Sequence, residues 1–152
     1  MIQRVQSVYF LLAGIFPAFT FCAPMAHYTD RDAAVVYQLT SWAIADMKGK
    51  AMAHPWGMVS LAVIVVIFSF VCLMAYRNRL RQIALSNLLI SMILIYTLAY
   101  VAYGYAYGTS LGLAFLPQWG LVFPALSLVF AFLARRGVCK DEALVRAADR
   151  IR

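Results

Sequence analysis

The stretch Ile83–Tyr107, IALSNLLISMILIYTLAYVAYGYAY, carries no charged side chain from end to end. A helix crosses a hydrocarbon layer of roughly 30 Å with about 20 apolar residues, so this segment is long enough to do so. Three further apolar stretches lie at Val5–Ala26, Trp56–Tyr76 and Leu116–Ala134. None of the four interiors holds Asp, Glu, Lys, Arg or His. The pattern predicts an all-α membrane protein, a four-transmembrane-helix antiparallel bundle forming a single domain over residues 1–152. Proton relays, ion pathways and voltage sensors need ionisable groups within the membrane, so their absence argues against a pump or ion-coupled transporter.

Composition agrees. The chain is 64% apolar and 12% charged, where a soluble domain carries about 25% charged residues. The net charge of +7 raises nucleic-acid binding, but the basic residues flank the apolar stretches, where they set orientation and meet anionic lipid. No nucleic-acid partner is expected; the lipid bilayer is.

Counting the basic residues by loop gives the topology. Arg4, the Arg77–Arg79–Arg81 connection and the six basic residues after Ala134 fall on one side of an even-span chain. The other side holds Arg31, Lys48 and Lys50. Ten of thirteen basic residues on one side is a positive-inside signature, placing both termini in the cytoplasm. The first stretch is expected to be retained rather than cleaved. Its apolar run is longer than a signal-peptide core, and Pro24 stands where a small residue would precede a cut after Ala26.

The outer first loop, 27–55, includes a β-favouring run at Ala33–Trp42 and a turn at Asp46–Lys50 around Gly49, which predict a small hairpin packed on the helix ends. The second outer connection, Gly108–Leu116, is uncharged and expected at the membrane surface. Gly14 and Pro17 predict a kink in the first span. Asn87 is expected to bond a neighbouring helix.

Four groups of residues are candidates for function. Tyr96, Tyr100, Tyr103 and Tyr107 follow i, i+4, i+7, i+11 and share a helical face. This face reads as a hydroxyl-lined groove for a lipid or quinone, with Tyr96, Tyr100 and Tyr103 as its binding candidates, or as interhelical hydrogen bonding with Gly104 and Gly108 permitting close helix approach. His27 and His54 flank the outer loop and are the metal candidates, although no HxxxH, HExxH or CxxCH spacing supports them. Cys22, Cys72 and Cys139 are too scattered for a disulfide framework; Cys139, beside a span among basic residues, is an acylation candidate. Lys140–Arg152, KDEALVRAADRIR, predicts a cytoplasmic amphipathic helix over 140–152, with Glu142 and Arg146 at i, i+4. Its stripe of Leu144, Ala147, Ala148 and Ile151 is the partner-binding candidate.

No GxSxG and no phosphate-binding glycine loop occurs. No catalytic residue, cofactor or metal is expected. The opening MIQRVQSVYFLLAG (Met1–Gly14) and the closing KDEALVRAADRIR (Lys140–Arg152) resemble a bacterial family of small membrane proteins, domain of unknown function 4293. The resemblance implies a four-span protein of the bacterial inner membrane and brings no activity. The functional expectation is a non-enzymatic accessory or assembly subunit of a membrane complex. The alternative is a lipid- or quinone-binding protein or enzyme using the tyrosine face.

Overall fold

The computed structural model describes residues 2–30, 35–46 and 48–149. Four helices form its body: α1 (Ile2–Phe19), α2 (Trp56–Met74), α3 (Arg79–Leu111) and α4 (Val122–Asp149). Each packs against two others, in the cycle α1–α2–α3–α4–α1. Three helical segments, Trp56–Arg77, Arg79–Leu111 and Trp119–Ala148, are long and apolar enough to cross a membrane, and Val5–Phe19 is a shorter apolar helix. The remainder is a small antiparallel sheet.

That sheet is larger than the expected hairpin. It has five strands, β1 (Ala26–Thr29), β2 (Val35–Leu39), β3 (Ile44–Asp46), β4 (Ala51–Ala53) and β5 (Ala114–Pro117), in the order β4-β3-β2-β1-β5. The second connection is therefore not a simple surface loop. It supplies β5, which pairs with β1 through Tyr28↔Phe115 and His27↔Leu116. Both edges are blunted: β4 has three residues, and β5 ends on Pro117, which donates no ladder bond.

Three helix boundaries also differ from the apolar segments. α1 stops at Phe19, because Pro17 removes a backbone donor and the chain leaves in tight turns, Thr20 N bonding Pro17 O and Phe21 N bonding Ala18 O. The helix runs through Gly14 and Pro17 and ends just beyond them. α3 gains a turn at each end. Asn78 caps its start by accepting from the Arg81 N–H, and Gly112, at φ 71°, closes it in the left-handed conformation. α4 continues without a break from Val122 to Asp149, so the expected separate helix at 140–152 is an extension of the last span. Nothing in Gly137–Lys140 interrupts it.

Side chains tie the helices by donating to backbone carbonyls of their neighbours. Pro17 cannot donate to the carbonyl of Ala13, and Ser127 of α4 donates to it instead at 2.6 Å. Ser69 of α2 donates to Phe10 O, beside Gly14, where a Cβ would lie 3.0 Å from the Ser69 side chain. Gln82 reaches back to Cys72 O at 3.1 Å, closing the α2–α3 turn. Asn87 accepts from Arg135 on α4, the neighbouring-helix bond that its polarity implied. Gln6 is buried near the start of α1 and donates to Asp141 of α4.

Candidate functional site at the junction of bundle and sheet

The sheet end of the bundle concentrates the buried polar chemistry. One stripe of α3 (Gln82, Ser86, Leu89, Ile93, Tyr96, Tyr100, Gly104 and Gly108) faces the interior. Toward the end of that stripe the residues shrink, and the sheet fills the space. A Cβ on Gly104 would lie 2.5 Å from the Phe115 ring and 3.2 Å from Leu39; one on Gly108 would meet the Tyr28 ring at 3.1 Å. The close approach expected of a helix at these glycines is made by β1, β2 and β5. Tyr28 completes the contact, its hydroxyl donating to Gly104 O at 3.0 Å. Burial pushes that hydroxyl well above the ordinary tyrosine range, and Tyr103 and Tyr107 push the same way. It stays a neutral donor.

Beneath the sheet lies a knot of hydroxyls. Tyr96 OH sits 2.8 Å from Thr20 Oγ1 and 3.0 Å from Ser41 Oγ. Ser41 donates to Thr20 at 2.9 Å, and Thr20 donates to Pro17 O at 2.6 Å. Ser41 also approaches the Met25 sulfur at 3.7 Å, and its backbone N–H bonds Thr20 O. The knot thus joins the end of α1, the β2–β3 turn and the middle of α3. Tyr100, one turn along, is equally buried, and among the described residues its hydroxyl has no hydrogen-bond partner. Among the described residues, the hydrogen-bond partners of the Ser41 side chain are Thr20, Met25 and Tyr96, and none is an imidazole or a carboxylate.

The tyrosine face divides in two. Tyr96 and Tyr100 are buried with their rings edge to face, whereas Tyr103 and Tyr107 are half-buried and stacked, with Tyr28 against Tyr107. The two histidines are separated. His27 lies within β1 and His54 follows β4, with β2 and β3 between those strands. His54 instead contacts Trp42 O through Nδ1 at 3.1 Å and packs with Trp42 and Trp56 in an exposed aromatic cluster. Among the described residues no group of three or more His, Cys, Asp or Glu is placed to hold a metal ion. Cys22 is exposed, Cys72 buried and Cys139 partly covered within α4. On the α4 extension Leu144, Ala147 and Ala148 are exposed, while Ile151 lies outside the described residues.

A family model described as Domain of unknown function (DUF4293) matches residues 2–151. The chain belongs to the DUF4293 family. The match takes in the helices and the sheet alike. No curated protein matches the sequence.

The sequence reading did not connect Thr20, Met25 or Ser41 with Tyr96. Thr20 and Ser41 stand 76 and 55 residues from Tyr96, and nothing local marks them as its partners. The one available signal was that Tyr96 and Tyr100 are buried phenols, which need partners from somewhere.

Proposed function

We propose that this DUF4293 protein is a multi-pass protein of the bacterial inner membrane, with both termini cytoplasmic, acting as a non-enzymatic accessory or assembly subunit. α1 supports a fourth span: its 18 residues reach about 27 Å at 1.5 Å per residue, close to the hydrocarbon thickness. The sheet then lies outside, and the Arg-rich α2–α3 turn inside, in keeping with the positive-inside rule.

The observation that carries the subunit reading is the extension of α4. It continues beside the α2–α3 turn as an unbroken helix whose Ala143–Ala148 turns are exposed, Leu144 at 54% and Val145 at 39%. A stripe of Leu144, Ala147 and Ala148 on a rigid helix is the shape a helix-in-groove partner takes. Truncation after Glu142 keeps the Gln6–Asp141 tie and removes the stripe. Affinity purification of tagged full-length and truncated chains from mild detergent tests the reading. A stoichiometric protein should accompany the full-length chain and be lost from the truncated one, with both found equally in membranes. Equal recovery with both chains refutes it.

The Tyr100 hydroxyl, without a partner among the described residues, favours a second reading, a lipid or quinone whose oxygen accepts from it. Tyr100→Phe should then lower the amount of co-purified lipid or quinone without lowering expression.

A further inference from the structure

The seam between α3 and α4 carries a groove of about 330 Å³ lined by Ile90, Leu94, Leu128, Val129, Phe132 and Leu133. That is within the size range of small-ligand pockets, roughly 300–1,000 Å³. The groove faces outward: Leu94, Val129 and Phe132 are all exposed. Its origin is the division of labour on α4. Ser127, Ala131, Ala134 and Val138 are buried, and α1 approaches this side closely enough for Ser127 to bond Ala13 O and for a Cβ on Gly137 to strike Gln6. The bulky residues are left on the α3 side, where they line a furrow without filling it.

One polar pair lies about a helical turn beyond the furrow's lining, at its basic end. Asn87, Ile90 and Leu94 follow i, i+3, i+7 on α3, and Leu128, Phe132 and Arg135 follow i, i+4, i+7 on α4. The antiparallel helices bring Arg135 to Asn87, Nε donating to Oδ1. Arginine has five donors in a planar fork. Here its partner among the described residues is a neutral amide, so the positive charge meets no carboxylate. The acids nearby are engaged elsewhere, Asp141 by Gln6 and Glu142 by Arg146. Arg77, Arg79, Arg81, Arg136 and Lys140 make the same end of the bundle basic.

We infer that the α3–α4 seam is a binding site for one anionic phospholipid, an acyl chain lying in the furrow and its phosphate on the Arg135 guanidinium. Charge complementarity selects the headgroup, since a guanidinium fork with free N–H groups matches a phosphate bidentately. The apolar lining accounts for the chain, and the cytoplasmic leaflet is where anionic lipid meets basic pockets between helices. Asn87 is the positioning residue, holding the guanidinium over the end of the furrow. The inference rests on the membrane reading above and is independent of the subunit reading.

Native mass spectrometry of the full-length detergent-solubilised protein, titrated with phosphatidylglycerol or phosphatidylcholine, tests it. The protein should retain one phosphatidylglycerol at concentrations that leave phosphatidylcholine unbound. Arg135→Gln should weaken that retention roughly five- to tenfold, as expected for losing one charge-assisted phosphate contact. Arg136→Gln, which makes no bond to Asn87, should weaken it less than Arg135→Gln does, and Leu94→Trp, which fills the furrow, should weaken retention while Arg135 remains. Equal retention of the two lipids, equal losses from Arg135→Gln and Arg136→Gln, or a furrow occupied by a second copy of the chain overturns the proposal. Each leaves the membrane reading standing, because that reading fails only if the protein is extracted from membranes by alkaline carbonate.

Discussion

The two ends of the bundle are built on opposite principles. At the sheet end, polar groups are buried and knotted together: Tyr96, Thr20 and Ser41 bond one another, and Tyr28 bonds the α3 backbone. At the opposite end, the last turns of α4 leave Leu144, Ala147 and Ala148 exposed, while Glu142 and Val145 face the α2–α3 turn across a small pocket. A buried hydroxyl left without a partner costs about 1–3 kcal/mol, so the sheet end tolerates little change. An exposed helix turn substitutes at little cost. A knot at one end and an open surface at the other are compatible with the docking role proposed above.

The largest effect should come from the point where backbone meets backbone. Gly120, in the turn before α4, lies against the Pro24 carbonyl so closely that any Cβ would collide with main chain rather than with a side chain able to rotate. Gly120 N–H also bonds Pro24 O. Gly120→Ala should therefore destabilise by at least the roughly 1–3 kcal/mol typical of overpacking, read as a lowered unfolding temperature in detergent. Gly57→Ala is the contrast, since nothing lies within 4 Å of a Cβ there. In the first turn of α2 it should be neutral or stabilise by up to about 1 kcal/mol. Equal effects would erase the distinction between locked and open positions.

A smaller effect separates two neighbouring tyrosines. Tyr96→Phe strips Thr20 and Ser41 of a shared partner and should cost about 1–2 kcal/mol. Tyr100→Phe removes an oxygen that bonds nothing among the described residues, so stability should change by no more than about 0.5 kcal/mol, or rise. Thermal unfolding of the two variants measures the difference. A Tyr100→Phe loss as large as that of Tyr96→Phe would mean that the orphan hydroxyl has a partner, which returns attention to a bound ligand.

How much of this was legible follows from the range of each interaction. The helices were readable because hydropathy is summed locally over about 20 residues, and the Glu142–Arg146 pair because it closes within one helical turn. The β character around Val35–Leu39 was readable from its branched and aromatic residues. Strand β5 was not: Ala114–Pro117 is four residues beside an apolar segment, and only its pairing with Tyr28 makes it a strand. The bonds of Ser41 and Thr20 to Tyr96 were invisible for the same reason, since they exist only once Tyr96 is beside them. The glycines were read correctly as points of close approach but assigned the wrong visitor. Spacing reports that something must come near Gly104 and Gly108, not whether it is helix or sheet.

The finest test concerns the bond that holds the sheet down. Tyr28 donates to Gly104 O, and Tyr28→Phe should cost about 1 kcal/mol while keeping the ring against Tyr107 and Phe115. Burial raises the folded-state pKa of this phenol above the ordinary value of about 10. The stability it contributes is therefore complete below pH 10 and declines as pH rises from there toward the folded-state value, because the unfolded chain releases the proton first. Measured between pH 8 and 11, the wild-type unfolding temperature should fall more steeply than that of Tyr28→Phe. Parallel curves would show that the Tyr28 hydroxyl is already open to water, and the sheet would then be a loosely laid cover rather than the locked end of the bundle.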